Sequence, residues 1–143
     1  MNEIGESVII VHWHFDYPRA GIVLYKSKPH LFDNIFSDDI DDYTNKYLLT
    51  PISQARMDIE SELLKITTEH LITFLDDGSH VLNKIVPDKK YRRYKELKKF
   101  VEVDNLMIKS ESFMRIGEMR FIERTERFNG ANFKNYEIYW NYE

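Results

Sequence analysis

The stretch from Val8 to Phe36, VIIVHWHFDYPRAGIVLYKSKPHLFDNIF, constrains the fold of this chain more than any other segment. Side chains on an extended strand alternate faces with a period of two. Read that way, Ile9, Val11, Trp13 and Phe15 form an apolar face turned to the core, and Val8, Ile10, His12, His14 and Asp16 form the opposite face. Tyr17-Pro18-Arg19-Ala20-Gly21 has turn chemistry, because Pro presets φ and Gly admits a positive φ or a close approach. Ile22 to Lys26 reads as a second strand, Lys26-Ser27-Lys28 as a short reversal, and His30 to Phe36 as a strand pairing back. The opening is therefore expected to be an antiparallel meander.

Beyond it, Ser37 to Asn45 holds Asp38, Asp39, Asp41 and Asp42 and reads as a solvated loop, followed by a short extended piece, Lys46 to Thr50, ending at Pro51. Ser53 is a good N-cap for a helix running to about Leu75, stopped by Asp76-Asp77-Gly78. Ala55, Ile59, Leu63, Ile66, His70 and Phe74 recur at helical spacing and form its expected buried stripe. A second helix is expected from Pro87-Asp88 to about Val103, with Tyr91, Tyr94, Leu97 and Val101 on one side. Phe113 to Glu126 returns to strand, Phe128 to Asn132 is turn-rich, and Tyr136, Ile138, Trp140 and Tyr142 alternate in a final strand. Both Trp13 and Trp140 are expected to be mostly buried. These elements predict a single α+β domain over 1–143, in which an antiparallel sheet, made of the N-terminal meander and the C-terminal strands, packs with two main α-helices.

Composition narrows the function classes. At 43% hydrophobic and 14% aromatic residues, 143 residues suffice for a packed core and argue against disorder. A net charge of -4 gives no general attraction to nucleic acid or anionic lipid. The absence of cysteine excludes disulfides, thiol catalysis and thiolate metal sites, and suits a reducing cytoplasm. No apolar run approaches the roughly 20 residues that span a bilayer, and MNEIGES lacks the basic flank of a secretory signal. The chain is expected in the cytoplasm, without a membrane partner.

Chemistry concentrates on a few residues. His12, His14 and Asp16 share one expected strand face, and His12-Trp13-His14-Phe15-Asp16 resembles the His-x-His-x-Asp-His ligand loop of the metallo-β-lactamase fold, with Tyr17 in place of the final His. The remaining histidines, His30, His70 and His80, have no spacing that completes a site, so neither metal nor cofactor is expected. Arg19 offers a planar fork for a carboxylate or phosphate, or a local pair for Asp16. Because the Asp16–Gly21 turn and Pro29–Phe32 belong to neighbouring strands, His14, Asp16, Arg19 and His30 are expected to converge beside Tyr17 and Tyr25 as a small binding site. Lys89, Lys90, Arg92, Arg93, Lys95, Lys98 and Lys99, interleaved with Tyr91 and Tyr94, form a basic helix face.

Asp16, Pro18, Arg19, Gly21, Tyr25, Lys26, Pro29, His30 and Phe32 carry a wider likeness, joined by Pro51, Pro87-Asp88, Tyr94-Lys95-Glu96-Leu97, Gly117-Glu118-Met119-Arg120-Phe121 and Trp140. In these the chain resembles a group of small uncharacterised bacterial proteins that open on Asp-Gly-Pro-Arg-x-Gly and Tyr-Arg-Gly-x-Pro-His-x-Phe. Tyr17 and Ser27 replace two glycines of that pattern. The resemblance implies a bacterial source and a compact α+β fold, with no activity attached. Three functions follow as expectations. The leading one is a non-enzymatic binding or interaction protein of the bacterial cytoplasm with a protein partner. The others are a small metal-dependent or acid-base hydrolase using His12, His14 and Asp16, and a weak nucleic-acid binder using Lys89 to Lys99.

Overall fold

The computed structural model describes residues 3–74, 80–83, 87–122 and 136–142. The expected helix stop at 76–78, the end of the strand expected to reach Glu126 and the turn at 128–132 lie outside the described residues. In chain order the elements are β1 (Glu3–Phe15), β2 (Tyr17–Tyr25), β3 (Lys28–Ser37), β4 (Asp42–Pro51), α1 (Gln54–Ile66), a π-helical turn (Thr67–Leu71), β5 (Ile72–Phe74), β6 (His80–Leu82), α2 (Asp88–Ile108), a 3₁₀ turn (Lys109–Glu111), β7 (Phe113–Phe121) and β8 (Tyr136–Asn141). Two compact units result. One gathers the strands before Ile52 and after Glu111, and the other spans Ser53–Ser110.

The first unit is a closed barrel in the order β1-β2-β3-β4-β7-β8, antiparallel throughout. This corrects the expected open antiparallel sheet packed with two α-helices: the strands are antiparallel as anticipated, but they close on themselves. Closure depends on the 13-residue length of β1. Its second part, Val8–Phe15, pairs with β2, while Glu3–Ser7 pairs with β8. One long strand thus serves two neighbours with a stagger between them, as barrel closure requires. The interior is filled by Val8, Val23, Tyr25, Phe32, Tyr47, Leu49, Ile138 and Trp140. Trp140 stands edge-on to Tyr25 and Tyr47, with ring centroids 5.5 and 5.6 Å away, and its indole N–H donates to Leu24 O at 3.1 Å. Its ring also lies over Gly117, where a Cβ would meet it at 2.8 Å, so a large side chain fills the space its cross-strand partner leaves empty.

β1 does not keep the two faces expected of it: near Val8 and Ile10 the inward face is the opposite one, and from His12 to Phe15 both faces are exposed. Val8 and Ile10 are buried, whereas Trp13 and Phe15 are 58% and 57% exposed. Alternation runs through Glu6, Val8 and Ile10, all buried, and is lost beyond Val11, where the β1–β2 ladder shifts register between Val11 and Trp13 and again between Trp13 and His14. Gly21 sits at this irregular stretch: a Cβ there would lie 2.0 Å from Ile10 O. The turn is also displaced. Pro18, Arg19 and Gly21 lie within β2, and the chain reverses at Asp16, whose φ is 62°. The expected acidic loop shrinks to a turn between Ser37 and Asp42, with strand on both sides.

The β2–β3 reversal at Lys26-Ser27 is where it was expected, with φ of 52° and 64°. Two-residue hairpins of this kind favour Asn-Gly because both residues need positive φ. Here neither residue is glycine, and the buried Glu6 carboxylate compensates. It accepts the Lys26 and Ser27 N–H groups at 2.7 and 2.5 Å and the Tyr142 hydroxyl at 2.9 Å.

In the second unit Ser53 caps α1, its hydroxyl accepting the Arg56 N–H at 3.1 Å. The helix ends at Ile66, well before Leu75. Leu63 and Ile66 pack with Leu97, flanked by Ile59, Tyr94 and Val101, as the helical spacing implied. Ala55, by contrast, is exposed and His70 only half-buried, while Arg56 and Glu60 are buried. Arg56 bridges Glu60 at 3.0 Å and Asp104 of α2 at 2.8 Å, which satisfies a charge that burial would otherwise make costly. Tyr91, placed on the apolar stripe, is exposed instead. No helix among the described residues is long and apolar enough to cross a membrane.

Two substitutions test this barrel by chemical denaturation. Gly21→Ala should lower stability by more than about 1 kcal/mol, since the new methyl meets a backbone oxygen that cannot yield cheaply. Trp140→Ala should cost about 3–5 kcal/mol, and an unchanged midpoint would mean that Trp140 does not centre the core.

Candidate functional site

The six residues expected to converge divide into two groups at opposite ends of the barrel. Val23 pairs with His30, and Ala20 with Asp33, so Arg19 stands level with Asn34, four residues along β3 from His30. At about 3.3 Å per residue that is roughly 13 Å. His14, Asp16, Tyr17 and Arg19 belong to the Asp16 end, which also carries the β3–β4 turn and the facing ends of β7 and β8. Tyr25 and His30 belong to the Ser27 end.

At the Asp16 end Arg19 is held from three directions. Its Nε donates to Phe15 O at 2.8 Å, its Nη1 donates to Asn34 Oδ1 at 2.7 Å, and its guanidinium lies 4.1 Å over the Tyr43 ring. Asn34 is buried, and its amide donates to Thr44 O and Lys46 O at 3.0 and 3.1 Å, satisfying carbonyls where the β3–β4 ladder shifts register. Arg19 therefore ties the β1–β2 turn to β3 and β4. Bonded to the Phe15 carbonyl and the Asn34 side chain and stacked on Tyr43, its guanidinium braces the turn.

Around it lies an aromatic surface that runs in two directions. Phe15 and Phe36 flank Tyr43 at centroid distances of 6.4 and 5.2 Å, and Tyr136 meets His14, Tyr17 and Phe121 at 6.3, 6.1 and 5.3 Å. Trp13, Phe15, Tyr17, Phe36 and Ile40 are all exposed there. Asp16, Asp38, Asp39, Asp41 and Asp42 are exposed beside them. Phe36, Tyr43 and Tyr136 escaped the sequence reading because no spacing links β3, β4 and β8 before the barrel closes. The only signal was two aromatics flanking the acidic run.

His12, His14 and Asp16 do not lie on an uninterrupted strand face, because the register shift at Trp13–His14 falls between the two imidazoles. Among the described residues no three His, Asp or Glu side chains gather as metal ligands would. On α2, Arg93 forms a fork to Glu62, with bonds of 2.7 and 3.0 Å, and Lys95 Nζ lies 4.6 Å over the exposed Tyr91 ring.

At the Ser27 end His30 is buried, its Nδ1 2.8 Å from Lys28 O and its ring edge-on to Tyr25 and Phe113. Tyr25 stacks on Tyr142 with centroids 5.4 Å apart at 29°. Burial, followed by the neighbouring Glu6 carboxylate, pushes the Tyr142 phenol up to about 12. Glu6, Arg115 and Tyr142 were not singled out from sequence, because their meeting depends on barrel closure.

His14 gives a measurable consequence. Burial, then the Arg19 charge, holds its imidazole below the usual 6.5, with Asp16 opposing. Charging is thus disfavoured in the folded state, so the contribution of His14 to stability is complete above about 6.5 and declines as pH falls below it. In an NMR titration the His14 midpoint should lie below that of a model peptide, and Arg19→Gln should recover part of the difference, since burial remains.

Comparison of the chain with family models, curated proteins and solved structures finds no match.

Proposed function

We propose that this chain is a non-enzymatic binding protein of the bacterial cytoplasm that docks a protein partner on the Asp16 end of its barrel. One observation carries the reading: five large hydrophobic side chains, Trp13, Phe15, Tyr17, Phe36 and Ile40, are between 43% and 63% exposed at one end and bordered by five exposed aspartates. Apolar clusters of this kind are costly to leave in water, and interface centres are enriched in aromatics within a polar rim. The rim's sign selects the partner. Asp38, Asp39, Asp41 and Asp42 project from one turn, so the complementary surface is basic, with Lys or Arg around an apolar centre. Arg19 and Asn34 hold the tip in shape before any partner arrives, which reduces the ordering that binding would require.

Affinity capture from the host at low salt tests this directly. The wild-type chain should retain a basic protein, and Phe15→Ser/Phe36→Ser should lose it while melting normally. Raising the salt should weaken retention, as should replacing the four turn aspartates by asparagine. Trp13 supplies the second readout, because Trp140 is fully buried and the exposed indole dominates quenching by added iodide. Saturating the chain with the captured partner should protect that fluorescence. Equal retention by the double variant, or unprotected Trp13, would refute the assignment.

A further inference from the structure

The Ser27 end carries a different surface. A cleft of about 520 Å³ opens there, lined by Tyr25, Lys26, Lys46, Arg115, Ile116 and Tyr142, with Met114 and Asn141 completing it. We infer that this cleft is a binding site for a small organic anion with an aromatic body, a carboxylate or phosphate monoester.

The argument begins with charge. Three of the lining residues are cations, and two are brought together by the same stacked tyrosine pair. Lys26 Nζ lies 5.7 Å from the Tyr25 ring centroid and 5.9 Å from that of Tyr142. Arg115 lies 5.8 Å from the Tyr25 centroid and 4.7 Å from that of Phe113. The Glu6 carboxylate behind this pair is buried and already accepts from Lys26 N, Ser27 N and the Tyr142 hydroxyl. The residues that line the cleft include three cations and no carboxylate, so its wall is cationic.

Donor geometry comes next. Arg115 spends one N–H on Tyr25 Oη at 2.9 Å and one on Met114 O at 2.8 Å. Those two bonds set the plane of the guanidinium, and three of its five donors are left for a ligand oxygen. Tyr25 is itself fixed by the Trp140, His30 and Tyr142 rings around it, so Arg115 is anchored to the packed core of the barrel. The cationic end of the cleft is thereby pre-organised.

The apolar side of the lining defines the rest of the ligand. Met114 and Ile116 are nearly half exposed on β7, and the Tyr142 ring stands at the end of β8. Cation, aromatic face and aliphatic wall within one cleft match an anionic group joined to a flat apolar body. A volume of this size suits a small molecule. Among the described residues, large side chains fill the barrel interior. This inference concerns the end of the barrel away from the aromatic tip and stands independently of what docks there.

Calorimetric titration of the full chain with phenyl phosphate and benzoate, with inorganic phosphate as the reference, tests the assignment. At least one aromatic anion should bind saturably at one site, more tightly than inorganic phosphate by about tenfold or more. Lys26→Gln and Arg115→Gln should each weaken that binding by about tenfold or more. Because Arg115 also bonds Tyr25, the exposed Lys46→Gln variant gives a check that leaves the core untouched, and it too should weaken binding. NMR shifts on titration should map to Tyr25, Arg115 and Tyr142. Absence of saturable binding up to ~10 mM would overturn the inference, since that is the weakest range a specific site would occupy. Equal affinity for inorganic phosphate would remove the aromatic part of it, and unchanged binding by all three variants would place the anion elsewhere.

Discussion

The barrel depends on one buried carboxylate. Glu6 sits on β1 at the point where that strand ceases to pair with β8 and begins to pair with β2. From there its two oxygens reach the Lys26-Ser27 turn and the Tyr142 hydroxyl just beyond β8. A single side chain thus joins the first, second and last strands, the ones that must meet for a meander to become a closed barrel. Charged acceptors form stronger hydrogen bonds than neutral ones, and here one carboxylate takes both backbone donors of the turn. This explains how a hairpin with two non-glycine residues at positive φ is held.

Closure also sets the character of the core. A small barrel must fill its interior with side chains, and here aromatics do much of the filling, with Trp140 edge-on to Tyr25 and Tyr47. Those rings are polar at one atom each, so their placement is directional. The indole N–H reaches Leu24 O and the Tyr25 hydroxyl accepts from Arg115. Tyr47 is buried deeply enough that its phenol is pushed up to about 12. The barrel therefore presents two dissimilar ends, one aromatic with an acidic margin, the other cationic around a tyrosine pair.

The helical unit solves its burial problem in another way. Its apolar cluster is small, formed by Leu63, Ile66 and Leu97 with their flanking residues, and the neighbouring buried positions hold Arg56 and Glu60. Arg56 spans both helices through Glu60 and Asp104. A buried ionic bridge adds less stability than the same volume of hydrocarbon, but it accepts only one alignment of the helices. Hydrophobic spacing does not reveal such a bridge, which is why the stripe through Ala55, Ile59, Leu63 and Ile66 missed the buried Arg56 and Glu60.

How much of this was legible depended on how local the cause was. The Ser53 cap, the Lys26-Ser27 reversal and the alternation around Ile138 and Trp140 were readable, because each rests on a few adjacent residues. The faces of β1 were not, since both sides of Val8–Val11 are apolar and the later register shifts are a property of the pair of strands. The Pro-Arg-x-Gly segment looked like a turn because Pro and Gly punctuate turns, yet Gly21 is needed for close approach to Ile10 within the sheet. The candidate site followed the same rule. Adjacent residues such as Asp16, Tyr17 and Arg19 stayed together, whereas Arg19 and His30 were separated by the length of a hairpin. The sequence alone determined the main strand and helix segments, though not all their ends, and that the meander strands run antiparallel. Only the tertiary structure decided that they close, which face turns inward and which distant side chains share an end, because those depend on register between strands far apart in the chain.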